Sequence, residues 1–168
     1  MKKNPITTAF ADFALPAYNE IPDVGLYLDQ VSKYINSFLT QFPEMEVTPS
    51  MISNYAKQKL IHRVNKKTYT RDQIATLILI VLSKTVMSID HIKTMIKILN
   101  PNDDTIEKHY IFFRDRLHKA LFSFIDEKKI HVNTSQLTKQ DIMLYNTVIA
   151  IAHKMYLERY FDTVESNE

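Results

Sequence analysis

Apolar side chains recur at intervals of three and four residues along much of this chain, which is the spacing of one face of an α-helix. The first set follows Asp23, a residue suited to cap a helix, and consists of Val24, Tyr27, Leu28, Val31, Tyr34, Ile35 and Phe38. The segment QFPEMEV then ends this pattern. Residues 1–20 have no clear period and contain prolines, so they predict an N-terminal arm that is loosely attached or docked on a partner.

A second, shorter helix is predicted over about residues 49–58. Thr48 suits its N-cap, and Pro49 is tolerated at the first helical position because the N–H that proline lacks has no partner there. The apolar face of this helix consists of Ile52, Tyr55 and Ala56. The opposite face carries short or hydrogen-bonding side chains at i, i+3, i+4 and i+7, namely Ser50, Ser53, Asn54 and Lys57. The following segment, LIHRVNKKTY, predicts a short basic hairpin or loop.

The apolar run IATLILIVL is ambiguous, because a buried strand and a buried helix both have this pattern. Thr70 and Gln73 form a capping box immediately before it, which favours a helix over about residues 71–84. Ser88 caps the next predicted helix, and the pair Asn100-Pro101 ends it.

The second half of the chain carries two longer helical patterns. A heptad-like stripe comprises Ile106, Tyr110, Phe113, Leu117, Ala120 and Phe124. A last helix, over about residues 139–161, places on one face Leu144, Val148, Ile151, Ala152 and Met155. The stripe can be a core against the last helix, a homodimer contact or both; alternatively these helices enclose an effector cavity lined by Tyr110, Phe113, Tyr145 and Tyr156. Residues 163–168 form an acidic tail.

Composition agrees with a mainly α protein and argues against an enzyme. A single Gly and six Pro leave few tight turns for an all-β fold and no glycine-rich phosphate loop. There is no Cys, and the six His are scattered without a metal-binding pair, so we expect no catalytic site, no metal and no cofactor. Because no apolar run approaches the roughly 20 residues of a membrane span and no signal peptide is recognisable, we expect a cytoplasmic protein with no membrane partner.

Charge is concentrated in one segment. The net charge of the chain is only +2, yet residues 47–71 contain six basic residues and no acidic one: Lys57, Lys59, Arg63, Lys66, Lys67 and Arg71. The rest of the chain carries 15 basic and 19 acidic residues and therefore has a net charge of −4. Such asymmetry indicates a local anion-binding surface, although a solvated face without a partner would show the same charges.

The order of these elements resembles the DNA-binding domain of the MerR class of bacterial regulators. TPSMISNYAKQKLI is similar to the recognition helix of that class, RVNKKTYTRDQI to its wing, and LILIVLSKTVMSIDHIKTMI to its two following helices. The chain departs from the class in having Ser53 where an arginine is usual and Lys59 where a glycine is usual. The resemblance implies a mainly α, MerR-like winged helix-turn-helix over residues 21–100 with a small basic wing, followed by C-terminal helices over residues 101–162.

A closer resemblance is carried by LPAYNEIPDVGLYLDQV together with TPSMISNYAKQKLI. These segments are similar to a family of uncharacterised Gram-positive bacterial proteins that carries the label domain of unknown function 1836 and is described as helix-turn-helix regulators. The resemblance implies a DNA-binding role without naming an operator, an effector or the direction of regulation.

The function predicted from the sequence is a DNA-binding transcriptional regulator. The recognition helix would lie in the major groove of double-stranded DNA and present Ser50, Ser53, Asn54 and Lys57 to base edges. The wing, residues 62–69, would lie on the DNA backbone. Phosphate or minor-groove contacts would come from Arg63, Lys66 and Lys67 in the wing and from Arg71 at the start of the next helix. We expect a homodimer through the C-terminal helices. The alternative is a helical protein-interaction module that keeps the winged fold without binding DNA.

Overall fold

The computed structural model describes residues 5–62, 67–126 and 133–166. These residues are mainly helical, as the periodicity predicts, and contain a single small sheet. The helices are α1 (Pro5–Asp12), α2 (Leu28–Ser37), α3 (Pro49–Lys57), α4 (Arg71–Ser83), α5 (Ile89–Leu99), α6 (Ile106–Asp126) and α7 (Lys139–Glu165). The strands are β1 (Leu26–Tyr27) and β2 (Thr68–Tyr69), which pair antiparallel.

The predicted capping residues start the helices where the sequence places them. Thr48 Oγ1 accepts a hydrogen bond from the Met51 N–H at 3.2 Å at the start of α3. At the start of α4, Thr70 Oγ1 accepts from the Gln73 N–H at 3.3 Å, and Gln73 Oε1 accepts from the Thr70 N–H at 2.9 Å. Each bond satisfies an N–H that has no partner within its helix. The capping box therefore resolves the ambiguous apolar run as the helix α4.

Helix α4 lies at the centre of the core. Every residue from Ile74 to Ser83 is buried, so the helix has no solvent-facing side over that stretch. Helices α5, α6 and α7 all pack against it. A helix that is apolar all round is stable only when other elements enclose it.

Helices α6 and α7 pack side by side and run in the same direction. Near their ends, the Phe124 ring lies 5.0 Å from the Tyr156 ring and 5.3 Å from the His153 ring, measured between centroids. Near their starts, burial lowers the pKa of His109 on α6, and the charge of Asp141 on α7 lies close enough to oppose that shift in part. The stripe residues Tyr110, Phe113, Leu117 and Ala120 are buried within this chain. At these positions the stripe is intramolecular core.

The N-terminal segment differs from the arm that the sequence predicts. It contains α1, whose buried residues pack on α6 and α7, and it continues as a chain with Phe13 and Leu15 buried. Helix α1 has eight residues, which is too short for its period to stand out in the sequence. Burial of its aromatic side chain Phe10, which stacks on Phe42 at 6.1 Å, holds it in place.

One row of side chains on α6 binds the backbone that follows α1. The Tyr110 hydroxyl donates to the Pro16 carbonyl at 2.8 Å, and Arg114 Nε donates to the Leu15 carbonyl at 2.9 Å. One turn further, His118 Nε2 accepts from the Leu15 N–H at 3.0 Å. Spacing of four residues places all three on one face of α6. The N-terminal segment is therefore fastened by hydrogen bonds as well as by apolar contact.

Helix α7 extends to Glu165, into the segment predicted as an acidic tail. Within the described part of the chain, no helix has the combination of length and apolar character that crossing a bilayer requires.

Candidate nucleic-acid interface

Helix α3 has one buried face and one exposed face. Ile52 and Tyr55 are buried where α3 packs against α2. On the other side, Ser50, Asn54 and Lys57 are exposed and Ser53 is half-buried. The predicted polar face is thus accessible along the length of the helix.

The C-terminal end of α3 is a tight left-handed turn. Lys59 has a φ of 60°, and its N–H donates to the Ala56 carbonyl at 3.0 Å. The Leu60 N–H donates to the Tyr55 carbonyl at 3.0 Å. These two bonds and the left-handed residue define a Schellman motif, which usually has glycine in that position. Lys59 adopts the required conformation in place of glycine, and its charged side chain is exposed beside that of Lys57.

The small sheet holds the C-terminal end of the predicted wing. Leu26 pairs with Tyr69 and Tyr27 with Thr68, so the wing returns alongside the start of α2. Gly25 makes this approach possible, because it has a φ of 80° and an added Cβ would lie 3.0 Å from Thr68 Oγ1. Burial raises the pKa of the Tyr69 hydroxyl, so this side chain stays neutral.

The other end of the wing is bound to α4. Gln73 Nε2 donates to the His62 carbonyl at 2.9 Å. Lys67 is exposed beside the strand that follows it. The predicted contacts Arg63 and Lys66 lie outside the described residues. One described end of the predicted wing is therefore bound to α4, and the other pairs with the strand that precedes α2.

Arg71 is placed differently from the other predicted phosphate contacts. Its Nε donates to the Ile21 carbonyl at 2.7 Å, one terminal nitrogen lies 3.4 Å from the Asp23 carboxylate, and its guanidinium lies 5.6 Å from the Tyr18 ring centroid. The Tyr18 hydroxyl in turn donates to Asp72. Burial, followed by this hydrogen bond, raises the pKa of Tyr18. Arg71 thus fastens residues 18–23 to the start of α4, a role that the charge pattern did not indicate.

The connection between α2 and α3 is long and tightly packed. It spans residues 38–48 and includes a 3₁₀ turn, Pro43–Met45. Phe42, Met45 and Val47 are buried. The Asn36 side chain both accepts from the Val47 N–H at 2.9 Å and donates to the Val47 carbonyl at 2.8 Å. The position of α3 therefore depends on this connection as well as on α2.

Helix α7 contacts the same connection through Arg159. Its guanidinium is 2.8 Å from the Glu44 carboxylate, 2.8 Å from the Asp162 carboxylate and 5.0 Å from the Phe42 ring centroid. The sequence alone did not indicate this link. The apolar residues within QFPEMEV are a signal that the segment is packed rather than exposed, but a residue more than 100 positions away shows no pattern that would identify it as the partner.

Residues 16–113 match the family described as Domain of unknown function (DUF1836). The chain belongs to the DUF1836 family. The DUF1836 region contains the whole candidate interface, including the sheet, α3 and the connection, and it ends inside α6. Helix α1, the second half of α6 and α7 lie outside it. No curated protein and no solved structure matches the chain.

Proposed function

We propose that this DUF1836 protein is a DNA-binding transcriptional regulator with a MerR-like winged helix-turn-helix, in which α3 is the recognition helix. The observation that carries the proposal is the two-sided character of α3, with its apolar side buried on α2 and its polar side, which includes Lys57, exposed. Lys59, at the end of α3, and Lys67, in the predicted wing, are exposed as well. A helix that is fixed on one side and free on the other can enter the major groove of B-DNA, which is about 12 Å wide.

The exposed side chains suit the two kinds of contact that such a helix makes. Asn54 can pair bidentately with adenine, and Lys57 can reach the acceptors of guanine. Lys59 and Lys67 are exposed and would contact phosphates, and such contacts set affinity and register rather than sequence. Arg63 and Lys66 are assigned to the same role from the sequence alone.

Arg71 is left out of the proposed interface because its guanidinium is already bound by the chain. With four phosphate contacts, from Lys59, Arg63, Lys66 and Lys67, the slope of log affinity against log salt should be about −3.6. The engagement of Arg71 also favours a second candidate, a protein-interaction module that retains this fold without DNA binding, since it removes one cation from the predicted phosphate contacts.

The proposed active form is a homodimer through the end of α7. Leu157, Tyr160, Phe161 and Val164 are exposed there, although they recur at i, i+3, i+4 and i+7 on one face of the helix. An apolar stripe of this spacing is typical of a contact between two helices. Two copies related by a twofold axis would bury the same stripe on each other and place two copies of α3 on one duplex.

The test is a mobility shift on a generic duplex at low salt, followed by selection of bound fragments from random DNA. Lys67→Glu should weaken the shift on every sequence, whereas Lys119→Glu, an exposed change on α6, should leave it intact. Asn54→Ala should cost about 1–3 kcal/mol of discrimination at one base position of the selected site.

Two results would reject the proposal. An unchanged shift in the Lys67→Glu and Asn54→Ala variants would show that DNA binds elsewhere. No shift by the folded wild-type chain at low salt would favour the interaction module. Sedimentation of Phe161→Asp beside the wild-type chain tests the dimer separately, since a charge in the stripe should leave a monomer.

A further inference from the structure

We propose that the cavity between the base of the wing and α5 binds a small organic anion. The cavity has a volume of about 690 Å³. One wall is the turn from Lys59 to His62, another is the start of α4, and a third is α5 with the loop that follows it. Pockets that bind small molecules have volumes of about 300–1,000 Å³ and lie where several elements meet.

The charges around the cavity favour an anion. Its two carboxylates already have partners: Asp72 accepts the Tyr18 hydroxyl, and Asp103 lies 3.0 Å from His62 Nε2. By contrast, Lys59, Lys93 and Lys97 line the cavity and form no ion pair with any residue that the structure describes. The three lysines outnumber the two carboxylates, so the lining of the cavity has a net charge of at least +1.

Two of these lysines lie close enough together for one anion to bind both. Lys93 and Lys97 are one turn apart on α5, and like charges at this spacing repel and destabilise a helix. A carboxylate, sulfonate or phosphate between them removes the repulsion and accepts hydrogen bonds from both ammonium groups. Hydrogen bonds between charged groups are stronger than neutral ones.

Part of the remaining lining is apolar. Leu60, Ile61 and Ile96 border the cavity, and the small apolar area that they expose would contact the apolar part of a ligand. Among the residues that the structure describes, no group of three or more His, Asp or Glu side chains could hold a metal ion. The ligand class is a small molecule with an apolar portion and an acidic group at one end.

Residues of the same turn belong to both the cavity and the proposed interface. Lys59 ends α3, and the carbonyl of His62 is bound by Gln73 at the base of the wing. A ligand that contacts Lys59 and displaces the His62–Asp103 contact would act on the turn that carries Lys59 in the proposed interface. This regulatory effect rests on the proposed function, whereas occupancy of the cavity does not.

The experiment is a fluorescence titration of the full chain, without DNA, with 1-anilinonaphthalene-8-sulfonate, a small aromatic anion. The double variant Lys93→Gln/Lys97→Gln should bind it at least about tenfold more weakly, which is the effect expected for losing a hydrogen bond between charged groups. The matched control Lys108→Gln/Lys119→Gln removes two exposed lysines from α6 and should bind as the wild type does. The neutral analogue N-phenyl-1-naphthylamine, which has the same rings without the sulfonate, should bind the wild type more weakly.

Three results would overturn the proposal. These are no binding of the sulfonate by the wild type, equal affinity in the Lys93→Gln/Lys97→Gln variant, and equal affinity for the neutral analogue. If this variant loses affinity for duplex DNA but keeps its affinity for the probe, the two lysines belong to the nucleic-acid surface and the cavity assignment fails. If the probe binds as expected and the wild type shifts no duplex, the cavity stands and the proposed DNA binding fails.

Discussion

Helices α3 and α4 are consecutive in the chain and have opposite relations to solvent. Among the residues of α3 only Ile52 and Tyr55 are buried, whereas α4 is buried without interruption from Ile74 to Ser83. Helix α4 therefore holds the fold together, and α3 presents a surface. Substitutions at the buried positions of α4 should therefore lower the free energy of unfolding. Substitutions on the exposed face of α3 should change binding and leave the free energy of unfolding nearly constant.

The largest expected effect is in α4. Leu79→Ala removes a fully buried side chain and should lower the free energy of unfolding by about 2–5 kcal/mol, because it loses apolar burial and leaves a cavity. Ser50→Ala, on the exposed face of α3, should change it by less than about 0.5 kcal/mol. Urea denaturation of the two variants measures both values. A loss of similar size in the two would end the distinction between the helices.

Arg71, the first residue of α4, gives the next largest expected effect. Arg71→Gln removes the charged hydrogen bonds to the Ile21 and Asn19 carbonyls and should lower stability by about 1–3 kcal/mol. Lys67→Gln, a nearby exposed cation, should leave stability almost unchanged and weaken duplex binding instead. If Arg71→Gln keeps full stability while losing duplex affinity, its original assignment as a phosphate contact is right and its structural role is minor.

The starts of α3 and α4 were predictable from the sequence because the signals that mark them are local. The capping pairs Thr48–Met51 and Thr70–Gln73 act over three residues, and the i, i+3, i+4 pattern of α3 identifies which face is buried. These features gave helix starts close to the observed ones. The exposed set Ser50, Asn54 and Lys57 followed from the same pattern.

The parts that were not predictable depend on contacts between distant residues. Nothing near Arg71 in the sequence shows that its guanidinium binds the Ile21 carbonyl, and nothing near Phe42 shows that Arg159 lies over its ring. The parallel packing of α6 and α7 likewise brings together residues that are distant in the sequence, such as Phe124 and Tyr156, and the period of each helix does not show which residues of the other helix it meets. For the same reason the cavity lysines, from two separate elements, could not be grouped from the sequence.

The hydrogen bond from the Leu15 N–H to His118 should make the free energy of unfolding depend on pH. Burial, and then the charge of Arg114, lower the pKa of His118, which Asp115 partly offsets. The unfolded chain, with an ordinary pKa of about 6.5, then binds the proton more readily than the folded chain. Stability from His118 is therefore present above pH 6.5 and is lost as the pH falls from there through the lowered pKa of the folded state.

The variant His118→Gln measures this contribution. It should lose about 1 kcal/mol at pH 7.5, the usual contribution of one hydrogen bond, and should show a smaller loss of stability between pH 7.5 and pH 5 than the wild type. Burial also lowers the pKa of His109. Because His109 is present in both proteins, its effect on the pH dependence of stability cancels when the two profiles are subtracted. Identical pH profiles would mean that the contact from the Leu15 N–H to His118 contributes nothing.

The smallest expected effect is a gain in stability from a substitution at Lys59. Lys59 is in the left-handed conformation with a φ of 60°, which costs a non-glycine residue about 1–2 kcal/mol. Lys59→Gly should relieve this strain, and because glycine also gains freedom in the unfolded chain the net stabilisation should be about 0.5–1 kcal/mol. Gln58→Gly, at a φ of −79°, relieves no strain and should destabilise the chain slightly.

The same variant tests stability and DNA binding together. Lys59→Gly should raise the unfolding temperature while lowering duplex affinity, since it improves the turn and removes a cation from the interface. Opposite signs in one variant would show that the end of α3 carries surface charge at the expense of stability, whereas residues 74–83 of α4 are buried and carry no charge. A more stable variant with unchanged duplex affinity would remove Lys59 from the phosphate contacts and confine the interface to α3 itself and the wing.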